Sequence, residues 1–152
     1  AHAADSLSDQ ARKGRSLFFD LTNEKRCSLC HRLEDNGTPI GPSLTLVAKS
    51  QSKEQLRRNI LEPNGDIAEG FEQTVITTNQ GERVAGVAKE RTDELIRVYD
   101  AASIPSPLRT FYRDQIRSVE TRERSSMPDD YGDFYSSEEV TAIISYLRAG
   151  VF

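Results

Sequence analysis

The stretch EQTVITTNQGERVAGVAKERTDELIRVYD, residues 72–100, has the hydrophobic period of strands rather than of helices. β-Branched and apolar residues alternate with polar ones in EQTVITT, ERVAGVA and ELIRVYD, which favours three strands. NQG at 79–81 and RTD at 91–93 separate them, as short turns do in hairpins. Beyond the prolines at 105 and 107, the segments LRTFY and DQIRSVE predict one or two further strands. Residues 71–121 therefore predict a small antiparallel sheet or barrel.

Helical patterns lie on both sides of this stretch. Apolar residues recur at helical spacings over residues 6–20, with Gly14 in the middle, and a second helix is predicted from an N-cap at Ser52 to a stop before Pro63. Near the end, Ser136 and Glu139 form a capping box, and Gly150 predicts the end of that helix. The predicted fold class is α+β, one domain over residues 1–152 with a β-rich insert at 71–121.

Composition excludes some classes of function. The formal net charge is -4 and no block of Lys or Arg is present, which argues against nucleic acid as a partner. No apolar run approaches the roughly 20 residues needed to cross a bilayer. The start, AHAADSLSDQ, has no basic or apolar signal region, so we expect a mature chain whose secretory signal, if there was one, has been removed.

Both cysteines and one of the two histidines occur in five residues, Cys27-Ser28-Leu29-Cys30-His31. Dithiol redox chemistry usually places such a motif after a strand, whereas a predicted helix precedes it here. Structural zinc needs four ligands, and the chain has no other cysteine and only His2 besides. A disulfide would be strained across so short a loop. Covalent attachment of haem accounts for both cysteines, their spacing and the histidine, because two thiols add to the two vinyl groups of the porphyrin and His31 ligates the iron.

A haem that only transfers electrons needs a second axial ligand, and Met127 is the only methionine of the chain. It lies in the polar run SSMPD, where a methionine used as core filler is not expected. A thioether ligand favours ferrous iron, which suits a carrier of moderately high potential. His2, Lys49 and Lys89 are the other candidates for this position.

These residues resemble the monohaem c-type cytochromes of the small helical type. The likeness covers both ends of the chain: a helix with Gly14 and Phe18, the motif at 27–31, Gly41-Pro42-x-Leu44, Ser126-Met127-Pro128, and a last helix with Tyr146-Leu147. The resemblance implies a helical core in which the first and last helices cross near Gly14. It also implies that the carbonyl of Pro42 accepts a hydrogen bond from His31 and fixes its ring.

The β-rich insert departs from the ordinary cytochrome pattern and resembles a narrower subfamily, often fused to propeller-type dehydrogenases. The similar part is EPNGDIAEGFEQTVITT with the strands that follow. This resemblance implies redox protein partners, namely a dehydrogenase donor and a cytochrome or oxidase acceptor. The insert either covers the methionine side of the haem or docks a partner.

The predicted function is electron transfer by one covalent haem c held by Cys27, Cys30, His31 and Met127, with no catalytic residues. We read the acids Asp129 and Asp130 as solvated loop residues. The main alternative is a haem enzyme or gas sensor in which Met127 does not hold the iron, and a second is an interaction module that uses haem only for stability. Thioether attachment implies maturation outside the bacterial cytoplasm, hence a periplasmic or other extracytoplasmic location.

Overall fold

A computed structural model describes residues 6–152 and confirms the α+β class. Within that range the chain forms five α-helices and one five-stranded antiparallel sheet. The helices are α1 (Asp9–Phe18), α2 (Leu44–Ser50), α3 (Lys53–Leu61), α4 (Tyr131–Phe134) and α5 (Ser137–Ala149), and 3-10 turns cover Cys27–Leu29 and Arg113–Gln115. The strands are β1 (Glu72–Thr78), β2 (Arg83–Arg91), β3 (Leu95–Asp100), β4 (Leu108–Tyr112) and β5 (Ile116–Ser125).

The chain divides into two compact units. Among the described residues, the helical unit comprises residues 6–66 and 128–152, and the β unit comprises residues 67–127. The sheet of the β unit begins one residue after the predicted start at 71 and extends to Ser125, four residues past the predicted end. That the chain folds as a single domain stays a prediction. No helix of residues 6–152 is both long and apolar enough to span a membrane.

Capping residues set the helix boundaries as the sequence predicted. Ser52 and Gln55 form a capping box at the start of α3, and Ser136 and Glu139 form one at the start of α5. Gly150 ends α5 in the left-handed conformation, with φ 66°. The first helix is shorter than predicted, because the Ser8 side chain accepts a hydrogen bond from the backbone of Ala11 and α1 therefore begins only at Asp9.

Close packing of α1 against α5 forms the centre of the helical unit. A Cβ atom added at Gly14 would lie 1.9 Å from the carbonyl oxygen of Ala142, so only glycine permits this approach. The rings of Phe18 and Tyr146 pack edge to face at 6.3 Å, and both side chains are buried. This is the crossing near Gly14 that the resemblance implied.

The five strands of the β unit form a curled sheet in the order β4-β3-β2-β1-β5. In a flat sheet β4 and β5 would lie four strand spacings apart, about 19 Å. The last residue of β4, Tyr112, and the first of β5, Ile116, are only four positions apart in the chain, a reach of at most about 14 Å. The two edge strands must therefore approach each other, which favours the barrel over the flat sheet.

An apolar core of its own fills the curled sheet. Its buried members come from four of the five strands: Ile76, Val84, Ile96, Val98 and Phe111. Residues that are partly exposed and pack against this core include Ala88, Ile116 and Val119. The inward side chains of β1 to β4 thus follow the alternation from which the strands were predicted.

Candidate haem-attachment site

The cysteine motif forms a tight turn in the helical unit. The 3-10 turn Cys27–Leu29 is closed by hydrogen bonds from the backbone N–H of Cys30 (3.1 Å) and of His31 (2.9 Å) to the carbonyl oxygen of Cys27. Both thiols are free, and the two cysteines are partly exposed. One short turn therefore presents two thiols and an imidazole, the three groups that covalent haem attachment requires.

His31 is held by one directed hydrogen bond. Its Nδ1 lies 2.8 Å from the carbonyl oxygen of Pro42, which can only accept, so Nδ1 carries the proton. Nε2 then has a free lone pair and is the atom that can bind a metal. Burial lowers the pKa of His31 and outweighs the opposing effect of the bond to Pro42, which keeps the ring neutral at neutral pH.

The loop after the motif packs against the cysteine turn and is hydrogen-bonded to it. Backbone N–H groups of Thr38 and Ile40 donate to the carbonyl oxygens of Ser28 (3.0 Å) and Cys30 (3.1 Å). A Cβ atom at Gly41 would lie 2.6 Å from Cε1 of His31, so a side chain there would displace the imidazole. Gly41 therefore lets the backbone pass against the ring, and Pro42 is carried to the position from which it accepts the Nδ1 proton.

The thiols are held in their protonated form. Burial raises the pKa of Cys27 to about 12 and also raises the pKa of Cys30. Raised pKa values do not suit thiol–disulfide exchange, in which the thiolate is the nucleophile. Cys27 and Cys30 are thus better suited to covalent attachment of a group than to reversible disulfide formation.

Two tyrosines that the sequence analysis overlooked lie beside the cysteine turn. The rings of Tyr131 and Tyr135 stack at 5.7 Å with an angle of 13° between their planes, and both side chains are buried. Burial is the main cause that raises the pKa of both phenols, and the charge of Cys27 adds to the rise in each. Their spacing of four residues was the only signal in the sequence.

The residues predicted to attach the haem, ligate its iron or orient a ligand belong to both compact units. Cys27, Cys30, His31 and Pro42 come together in the helical unit, whereas Met127 belongs to the β unit, in a bend after β5. Met127 is partly exposed, and its backbone N–H donates to Oγ of Ser125 at 3.1 Å. Its role as a ligand stays a prediction.

The alternative ligands for the second axial position come from different segments of the chain. Lys49 lies in the last turn of α2, Lys89 lies in β2, and His2 falls outside the described residues. Within residues 6–152, no three His, Cys, Asp or Glu side chains are grouped so that they could hold a metal ion. The four protein ligands of a structural zinc site are thus not assembled in that range.

Comparison with models of known protein families gave no match, and no curated protein matched the sequence significantly. Two thiols on one turn, with a neutral imidazole whose Nε2 is free, form a donor set that fits haem c.

Proposed function

We propose that this protein is an electron-transfer c-type cytochrome with one covalently bound haem. The observation that carries the proposal is the hydrogen bond from His31 Nδ1 to Pro42, because it fixes the tautomer that leaves Nε2 free for iron. The turn at 27–31 adds the two thiols at the spacing that attachment needs. The raised pKa values of those thiols argue against the dithiol redox alternative.

Each residue of the site has a distinct role in this proposal. Cys27 and Cys30 would hold the haem by adding their S–H groups across its two vinyl groups, each forming one carbon–sulfur bond. His31 would bind the iron through Nε2, with Pro42 orienting its ring. Met127 would supply the thioether ligand. A bound haem would supply the iron whose change between two oxidation states carries the electron.

The proposal extends to location and partners. Thioether attachment places the protein in the periplasm or at another extracytoplasmic site. It exchanges electrons with redox proteins, receiving them from a periplasmic dehydrogenase and passing them to a cytochrome or an oxidase. We propose an electron carrier rather than an enzyme, because His31 and Met127 would together hold the iron and leave it no position for a substrate.

Expression in bacteria tests the attachment. The chain should be produced with a secretion signal together with haem-attachment machinery, and its spectrum recorded after denaturation in alkaline pyridine. We expect one covalent haem per chain, none in a matched Cys27→Ala/Cys30→Ala variant, and none when the signal is omitted. A secreted chain without covalent haem would contradict the proposal.

A second measurement separates the carrier from the haem enzyme or gas sensor. The reduced protein is mixed with carbon monoxide and its absorption is followed over time. A carrier with both axial positions filled remains low-spin and binds the gas slowly, because Met127 must first leave. Rapid and complete binding would favour the sensor or enzyme.

A further inference from the structure

The tyrosine pair, Tyr131 and Tyr135, binds the segment that leads into the cysteine turn. The hydroxyl of Tyr131 donates to the carbonyl oxygen of Lys25 at 2.7 Å. The side-chain amide of Asn23 donates to the hydroxyl of Tyr135 at 2.8 Å. Both contacts lie within the helical unit, and they join residues more than a hundred positions apart in the chain.

The segment itself is a set of turns outside any α-helix or strand. Asn23 Oδ1 accepts from the backbone N–H of Lys25 at 2.8 Å, and the backbone N–H of Arg26 donates to the carbonyl oxygen of Asn23 at 3.3 Å. The 3-10 turn that carries Cys27 starts directly afterwards. The direction in which Cys27 leaves this segment therefore depends on how residues 23–26 are held.

The hydroxyls indicate a role beyond packing. Tyr131 and Tyr135 are each 6% exposed, so phenylalanine would fill the same space without burying a polar group. A buried hydroxyl stabilises the fold only where it has a partner, and here the partners lie at the entrance of the cysteine turn. The ion pair between Lys25 and Asp130 joins the same two segments near the surface.

The same contacts involve the chain that follows the predicted second ligand. Asp130 and Tyr131 come three and four residues after Met127 in the sequence. Both bind Lys25, which lies two residues before Cys27. The segment after Met127 is thus fastened to the segment before the first attachment cysteine.

We propose that Tyr131 and Tyr135 are positioning residues for haem attachment: they hold residues 23–26 so that Cys27 is presented correctly, and they fasten the chain after Met127 to that segment. The inference rests on the proposed function, because the haem gives the position of Cys27 its purpose. The hydroxyls of the pair bond to Lys25 and Asn23, so their effect on ligation is transmitted through residues 23–26 and through the neighbouring ion pair of Asp130.

Tyr131→Phe tests the inference, because it removes one hydroxyl and keeps the ring. In the secreted full-length protein, we expect hydrogen exchange at the bonded amides of Lys25 and Arg26 to be faster by about fivefold, the effect of one ordinary hydrogen bond. Exchange in α5 should not change. The matched control is Tyr112→Phe, since Tyr112 is 54% exposed and lies in the β unit.

A second readout reports on the iron rather than on the fold. The absorption band of sulfur-ligated ferric haem should disappear from Tyr131→Phe at a lower urea concentration than from the parent, while the helical circular dichroism is still native. A residue that only contributes to packing would shift both transitions together. Tyr135→Phe, which removes the hydroxyl that accepts from Asn23 and keeps the ring, gives the same test if Tyr131→Phe does not fold.

The outcomes separate this inference from the proposed function. Unchanged exchange at Lys25 and Arg26, or an equal increase there and in α5, would overturn the positioning role even in a protein that carries haem. A parent protein without covalent haem would overturn the proposed function, and the positioning role for attachment with it, whatever the exchange rates show.

Discussion

The imidazole of His31 packs against the backbone of Gly41, and its Nδ1 donates to the carbonyl oxygen of the next residue, Pro42, at 2.8 Å. The first contact leaves no room for a side chain at position 41, and the second fixes the proton on one ring nitrogen. Ring position and tautomer are thus set by two adjacent residues of one loop. Steric contact and hydrogen bonding at this loop can therefore be tested with one substitution.

Gly41→Ala should disturb the imidazole directly. The new methyl group would lie 2.6 Å from Cε1 of His31, so either the ring or the loop must move, at a cost of about 1 to 3 kcal/mol in unfolding free energy. A weakened bond to Pro42 makes the imidazole less basic, and we expect the reduction potential to rise because ferric iron loses support. Urea unfolding and a redox titration measure the two effects.

The control for this substitution is Ser43→Ala in the same loop. Ser43 is exposed, and its side chain makes no capping hydrogen bond at the start of α2. It should leave both the potential and the unfolding midpoint nearly unchanged. An unshifted potential in Gly41→Ala would show that the loop accommodates the methyl group without moving the ring.

Gly14→Ala tests the packing of α1 on α5. In an open helix this change stabilises by up to about 1 kcal/mol, because alanine is the better helix former. Here the added methyl group would lie 1.9 Å from the carbonyl oxygen of Ala142, so we expect a loss of about 1 to 3 kcal/mol or more. The two expectations differ in sign, and urea unfolding followed by circular dichroism distinguishes them.

Gly132→Ala is the matched control for Gly14→Ala. Gly132 lies in α4 of the same unit, and a Cβ atom there would make an ordinary contact of 3.5 Å with Cδ2 of Leu61. The free energy of unfolding of Gly132→Ala should be unchanged or slightly higher than that of the parent protein. If both variants were equally stable, the close approach of α1 to α5 would not be the feature that requires glycine at position 14.

Local patterns in the sequence predicted much of the fold. The strands followed from alternation, and the start and end of α5 followed from Ser136, Glu139 and Gly150, because these signals act over a few residues. The short helices α2 and α4 were missed, since seven and four residues are too few to establish a helical period. The hydrogen bond to Pro42 was expected only through the resemblance.

The contacts of the tyrosine pair were beyond the reach of local patterns. Tyr131 bonds to a backbone carbonyl 106 positions away. Every residue has such a carbonyl, so the residue type at position 25 does not reveal that it accepts this hydrogen bond. Tyr135 bonds to Asn23 across 112 positions. Only the packing of α4 against residues 23–26 brings these groups together, so the sequence alone indicated aromatic residues and not their partners.

Acid should weaken the link between Asp130 and Lys25. The hydrogen bond from Lys25 lowers the pKa of Asp130 below its ordinary value of 3.8. Because the carboxylate form is favoured in the folded state, its contribution to stability is present above that value and is lost as the pH falls through the lowered pKa. The pair is exposed, so the effect is small.

Urea midpoints measured between about pH 2.5 and 6 check this expectation. Asp130→Asn should lose less stability on acidification than the parent protein. Asp133→Asn, at an exposed position of the next helix, should follow the parent profile. Superimposable profiles for Asp130→Asn and the parent would show that the ion pair contributes nothing to stability.

Met127→Ala tests whether Met127 ligates the iron, on which the assignment as a His/Met carrier depends. It removes the only methionine of the chain and leaves Cys27, Cys30 and His31 unchanged, so covalent haem should be retained. We expect five-coordinate or water-ligated iron, a lower reduction potential because ferrous iron loses its soft ligand, and ready binding of carbon monoxide by the reduced protein. A methionine that serves only in packing would instead leave the spectrum unchanged and lower stability alone, by less than the roughly 2 to 5 kcal/mol of a fully buried methionine, because Met127 is partly exposed. If the variant keeps a low-spin six-coordinate spectrum and an unshifted potential, another residue such as His2, Lys49 or Lys89 holds the iron, and the assignment as a His/Met carrier is wrong.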